Sequence, residues 1–246
     1  GLLAGAGRAC ASGAASDKLP ALKIAPARTA VVGLSSGAYM AGQVQMAYPE
    51  LFPNAALVAG GPYACAGGKL DVALGSCMKG VPAPDVGALV ARAEQRSTAG
   101  EIGALDRLAH AHVYLLHGKD DALVAPAVAE AAVKFYQQLR DGVPGLQGMQ
   151  VHDDGQRAFA HNLPVAAQGD DCGQSVAPYL GHCGFDAAGE IFAQMFGKPP
   201  RAAAEPRGEL RSSNQDALRP GGADTFMAAT GYVYLPPDCL AGKPCG

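Results

Sequence analysis

The chain has 246 residues, 49% of them hydrophobic and 17% charged, with 33 Gly, 18 Pro and no Trp. This is a globular composition, and a net charge of −3 without a basic block excludes a surface built to neutralise nucleic-acid phosphates. No apolar run reaches the roughly eighteen residues that a membrane span requires.

The opening GLLAGAGRACASGAAS is small and apolar, like the tail of a signal peptide with an A-x-A-type cleavage site. Residues 1–22 therefore read as a leader remnant or loose N-terminus, and 23–246 as one domain. TAVVG (29–33) is a β-branched run ending at GLSSG, and 36–52 continues as a helix. AALVAGG (55–61) reads as the next strand. PYACAGGKLDVALGSCMKG has no periodicity and reads as a loop between Cys65 and Cys77. Residues 85–99 are helical, HVYLLHG (112–118) is a buried-type strand, and 127–140 is helical. GMQVHDDG (148–155) is a shorter strand, and 187–197 is a helix closed by Gly197. The stretch 198–225 is the one candidate linker, and a further strand lies in TFMAATGYVYLPPDC. Strands alternating with helices predict a mostly parallel sheet covered on both faces.

Seven cysteines stand at 10, 65, 77, 172, 183, 239 and 245. Beyond Cys10 they form three short-range couples in Gly- and Pro-rich loops, with no C-x-x-C and no zinc-type histidine spacing. That pattern reads as disulfides in an oxidising compartment, hence a secreted or periplasmic protein, and predicts no metal.

GLSSG fits the G-x-S-x-G elbow that lifts a nucleophilic serine onto a strand-to-helix turn. Gly33 and Gly37 flank Ser35, and larger side chains there are expected to clash. The backbone N–H of Ser36, at the helix N-terminus, is positioned for a developing oxyanion. The acid belongs on a loop after a later strand, where HGKDDALV offers Asp121, with Asp120 the alternative or a helix cap. The base belongs after the acid, and six histidines compete. His110, His112 and His117 enter or end the strand at 112–118, and His182 adjoins Cys183. His161, in the loop GQRAFAHNLP, has the best position, and His152 is second.

These stretches together resemble the poly(3-hydroxybutyrate) depolymerases, in particular the circularly permuted single-domain kind. GLSSGAYMAGQVQMAYPELF, VAGGPYACA with SCM, HGKDDALV, AHNLP, CGQSVAPYLGHCGFDAAGEIFAQMFG and TGYVYLPPDC follow in the family's order over roughly residues 27 to 245. The resemblance implies a circularly permuted α/β-hydrolase fold with Ser35 as nucleophile, Asp121 as acid and His161 as base. It also implies the disulfides Cys65–Cys77, Cys172–Cys183 and Cys239–Cys245, and a polyester or oligomer substrate handled by a monomer without cofactor. Permutation answers why so few residues precede the elbow, since strands that usually come before it would lie behind it. The family's last cysteine couple leads to an H-G-C motif that supplies a second oxyanion donor, whereas this sequence ends at KPCG. Residues are therefore expected to follow Gly246. Two other readings fit the sequence: an esterase for feruloyl or acetyl groups on plant polysaccharides, and a hydrolase-like protein that binds polymer without turnover.

Overall fold

A computed structural model describes residues 19–197, 207–219, 221 and 227–245. Cys10 and nearly all of the leader-like segment lie outside that range, as does most of the linker's first half. The chain divides into two compact units, one of Pro26–Ala202 and the other of Gly1–Ala25 with Ala203–Cys245.

The larger unit is built on a parallel sheet of four strands in the order β1-β2-β3-β4: Ala30–Leu34, Asn54–Val58, His112–Gly118 and Gln150–Arg157. The two central strands are continuous apolar runs, AALV and VYLL, because both of their faces are covered. Successive side chains point to opposite faces, and the two cores divide along that alternation. Ala55, Leu57, Val113 and Leu115 pack into one cluster with α1 (Ser36–Ala47), α4 (Val86–Thr98) and α5 (Pro126–Gly142). Ala56, Val58, Tyr114 and Leu116 pack into the other with α6 (Ala187–Phe196). Each large aliphatic side chain buried this way contributes roughly 1.5–3 kcal/mol.

The strand starts are pinned by Asn54, which is buried. Its amide donates to the Thr29 carbonyl and accepts from the His112 N–H at 2.9 Å, tying β1, β2 and β3 at one end. The α4 helix begins where Asp85 caps the Ala88 N–H at 3.0 Å. The first helix stops at Ala47, short of the predicted residue 52, because a residue preceding proline disfavours the helical region and Pro49 follows Tyr48.

Two further features of the larger unit depart from the sequence expectations. The cysteine loop at 62–80 contains two short helices, α2 (Leu70–Leu74) and α3 (Ser76–Lys79). A second parallel sheet, order β5-β7-β6, joins Leu163–Val165, Leu180–His182 and Asp170–Asp171. Disulfides close both regions, Cys65–Cys77 and Cys172–Cys183.

In the smaller unit β8 (Glu209–Asn214) pairs antiparallel with β9 (Thr230–Leu235), so the candidate linker contains a strand. A short helix α7 (Pro237–Leu240) follows, Cys239 bonds Cys245, and Cys245 bridges to Ile24. Among the described residues no helix is long and apolar enough to cross a membrane.

Candidate active site

The turn between β1 and α1 is as tight as the elbow pattern requires. Ser35 has φ 58° and ψ −120°, a conformation that costs a non-glycine residue on the order of 1–3 kcal/mol. It is held there because its N–H donates to the Val58 carbonyl on β2 at 2.9 Å, while its carbonyl accepts from Ala38 and Tyr39 in the first helical turn. A Cβ on Gly33 would stand 2.0 Å from the Gly37 carbonyl oxygen, so Gly33 is obligatory. The expected clash does not extend to Gly37, where a Cβ would meet open space. Gly60 has a related duty, since a Cβ there would approach the Ala38 Cβ to 2.5 Å. Ser36 opens α1, and a first-turn N–H has no acceptor within its own helix.

Asp121 and His161 meet although 40 residues separate them. The His161 Nδ1 lies 2.7 Å from Asp121 Oδ2, and both side chains are buried. The other carboxylate oxygen accepts the N–H groups of Leu123 and Val124 at 2.8 and 2.9 Å. Burial alone would raise this carboxyl, but the His161 hydrogen bond and the two backbone donors outweigh it and hold Asp121 below the usual carboxylate range. Asp120 is exposed, and the helix that follows starts from Ala125 without a side-chain cap, so Asp120 does not cap it.

Gly118 makes the meeting possible. A Cβ there would stand 2.0 Å from the Phe159 carbonyl oxygen, so only glycine lets the end of β3 pass this close to the loop carrying His161. That loop is anchored by the small second sheet and its disulfide. The Asn162 amide donates to the carbonyls of Cys172 and Gln174 at 2.9 and 3.0 Å, the His161 N–H donates to Ser175 Oγ at 3.1 Å, and Tyr179 meets the imidazole edge-on.

The competing histidines are elsewhere or differently engaged. His152 lies on β4, stacked on Tyr114 with ring centroids 5.0 Å apart. His110 and His182 are exposed, and His112 is partly buried at the start of β3. His117 is 3% exposed, and neither ring nitrogen has a hydrogen-bond partner among the described residues. Burial lowers its pKa, Asp121 opposes that, and His161 adds to it, with the backbone of Val124 weakly favouring the charged form.

A cavity of about 810 Å³, within the range of small-molecule sites, opens beside Ser35 and Ser36. Its wall includes Tyr39, Met40, Met78, Val124 and both cysteines of the Cys65–Cys77 bond. Tyr39 was not singled out from the sequence. Its hydroxyl donates to the Cys77 carbonyl, and burial, reinforced by the Asp121 charge, pushes its pKa up. It joins the elbow helix to the cysteine loop. No group of three or more His, Cys, Asp or Glu side chains gathers in metal-binding geometry among the described residues.

No protein-family model matches the chain. The chain is 34% identical over 231 residues to a poly(3-hydroxybutyrate) depolymerase of Delftia acidovorans, covering 93% of this chain and 45% of that protein. It is 30% identical over 236 residues to a polyhydroxybutyrate depolymerase of Talaromyces funiculosus, covering 93% of this chain and 65% of that one. It thus spans about half to two thirds of the length of these relatives. The crystal structure of a PHB depolymerase from Penicillium funiculosum superposes with a TM-score of 0.75 at 27% identity, covering 91% of this chain and 68% of that one. A serine-to-alanine variant of a PHB depolymerase, complexed with an R3HB trimer, superposes with a TM-score of 0.74 at 26% identity, over 91% of this chain and 68% of that one. The parallel sheet with helices on both faces is that of an α/β-hydrolase, and over more than nine-tenths of its length the chain is similar in sequence and fold to poly(3-hydroxybutyrate) depolymerases.

Proposed function

We propose that this chain carries a serine esterase site that hydrolyses poly(3-hydroxybutyrate) and its oligomers. The observation that supports this most is the buried Asp121–His161 pair in the same unit as a serine strained onto a strand-to-helix elbow. In this reading Ser35 Oγ attacks an ester carbonyl while His161 Nε2 takes its proton. Asp121 fixes Nδ1 as the protonated nitrogen and stabilises the imidazolium. The N–H of Ser36 stabilises the tetrahedral oxyanion, which removes a barrier of about 3–4 kcal/mol per donor in comparable sites. The alcohol leaves with the proton from His161, and water activated by the same imidazole releases 3-hydroxybutyrate or a short oligomer from the acyl-enzyme.

The three disulfides fit a protein that works in the periplasm or outside the cell. The chain acts without a cofactor, because every proton transfer is assigned to its own side chains. The test has two arms. A fluorophosphonate should label the wild-type protein at Ser35, and the protein should clear a suspension of poly(3-hydroxybutyrate). Clearing that persists in Ser35→Ala would refute the assignment.

A further inference from the structure

The cavity beside Ser35 also reaches the α4 helix, where Arg92 and Arg96, one helical turn apart, line it. The two guanidinium groups differ in commitment. Arg96 donates to the Tyr63 hydroxyl at 2.9 Å and pairs with Glu101 at 3.0 Å, so its charge is already answered. Arg92 has no ion pair or hydrogen bond among the described residues. Asp71 and Asp85 line a neighbouring groove that Arg92 also borders, yet neither comes within ion-pairing distance of it.

The guanidinium of Arg92 lies beside the two glycines that end the turn after Cys65. A Cβ on Gly67 would stand 3.2 Å from its Nη1, and Gly67 and Gly68 both have positive φ, at 54° and 79°. The other charged groups of the cavity wall, Arg96 and Glu101, answer each other, and the remaining surface is apolar or neutral, such as Met40, Ala64 and Met78. A guanidinium without a partner in such a setting is matched by one planar anion, the carboxylate, which it can hold through two parallel hydrogen bonds. A 3-hydroxyalkanoate polyester is uncharged along its length. Its one ionised group is the carboxylate at the acid end.

We propose that Arg92 is a subsite for the free carboxylate of short 3-hydroxyalkanoate oligomers and that it makes acid chain ends better substrates than capped ones. This rests on the esterase reading of Ser35. The carboxylate ends the alcohol-side fragment of the scissile ester. When Ser35 Oγ bonds to the carbonyl carbon, the carbon–oxygen bond to that fragment breaks. The departing oxygen takes the proton from His161, and the hydroxy acid leaves with its carboxylate on Arg92.

The test compares the (R)-3-hydroxybutyrate trimer as free acid with its methyl ester. With wild-type protein the KM of the methyl ester should exceed that of the acid by about fivefold, the upper end for loss of one exposed charge pair. In Arg92→Gln that ratio should fall to near one. Calorimetric binding to Ser35→Ala reads the same subsite without turnover: tighter binding of the acid, abolished in Ser35→Ala/Arg92→Gln, supports it. Equal affinity for acid and methyl ester in Ser35→Ala, or a preference that survives the Arg92 substitution, overturns it. Loss of the esterase reading would show separately, as absent fluorophosphonate labelling of the wild-type protein.

Discussion

Replacing Asp121 with Asn tests the proposed division of labour in the site. The carboxylate has two unequal sides: Oδ1 accepts two backbone N–H groups, and Oδ2 faces His161 Nδ1 at 2.7 Å. An asparagine can satisfy the backbone only by placing its carbonyl where Oδ1 was. Its NH₂ then faces the imidazole and must donate, so Nδ1 becomes the acceptor and Nε2 carries the proton. That tautomer cannot take a proton from Ser35. The flipped amide would set two donors against Leu123 and Val124, costing about 1–3 kcal/mol for each unsatisfied group. The wrong tautomer is therefore favoured, and kcat on p-nitrophenyl butyrate should fall roughly 10⁴-fold, or about 5.5 kcal/mol of transition-state stabilisation. The protein should remain folded, as circular dichroism would verify. A folded Asp121→Asn that keeps activity within tenfold of wild type would show that Asp121 does not orient the base.

Gly33→Ala should abolish fluorophosphonate labelling, because the added carbon would occupy the position of the Gly37 carbonyl; a labelled, soluble variant would mean the elbow can relax. Replacing Cys65 and Cys77 together by Ala should lower stability by about 3 kcal/mol, the chain-entropy value for a loop closed over 12 positions, read as a shift in the urea midpoint. The pH dependence of stability has two sources. Asp121 is held below its ordinary range, so the unfolded chain binds its proton first and stability falls as pH drops through the carboxylate range. His117, lowered mainly by burial, likewise takes its proton more readily in the unfolded chain, so stability should fall as pH drops below about 6.5. In His117→Leu, urea midpoints between pH 7 and pH 5 should change less than in wild type; an equal change would place the sensitive group elsewhere.

The parts of this molecule that were legible in the sequence are those whose signal is local. The run AVVG before GLSSG and the continuous apolar strands at 55–58 and 113–116 each declare themselves within a few residues. The second sheet does not, because its strands are two or three residues long and its parallel partners are found only in the folded chain. The helices α2 and α3 have five and four residues, too few for an apolar stripe to repeat. β8 was hidden by its composition, since ELRSSN is polar and sits beside a Pro- and Arg-rich stretch. At the site, adjacent Asp120 and Asp121 cannot be separated by spacing; burial separates them. The support for His161 was equally invisible, because Asn162 and Ser175 matter through bonds to backbone groups that only the fold brings near. Arg92 and Arg96 look alike as an i, i+4 pair, and only the position of Glu101 and Tyr63 distinguishes them.

The central claim is that Ser35 is the nucleophile of an esterase for 3-hydroxybutyrate polymers, and its most direct measurement is release of 3-hydroxybutyrate from the (R)-3-hydroxybutyrate trimer. The wild-type protein should release it through an acyl-enzyme visible on Ser35 by intact mass, and Ser35→Ala should be slower by about 10⁴-fold or more. Release by Ser35→Ala at a rate comparable to wild type, or an acyl group found on another residue, would contradict the account.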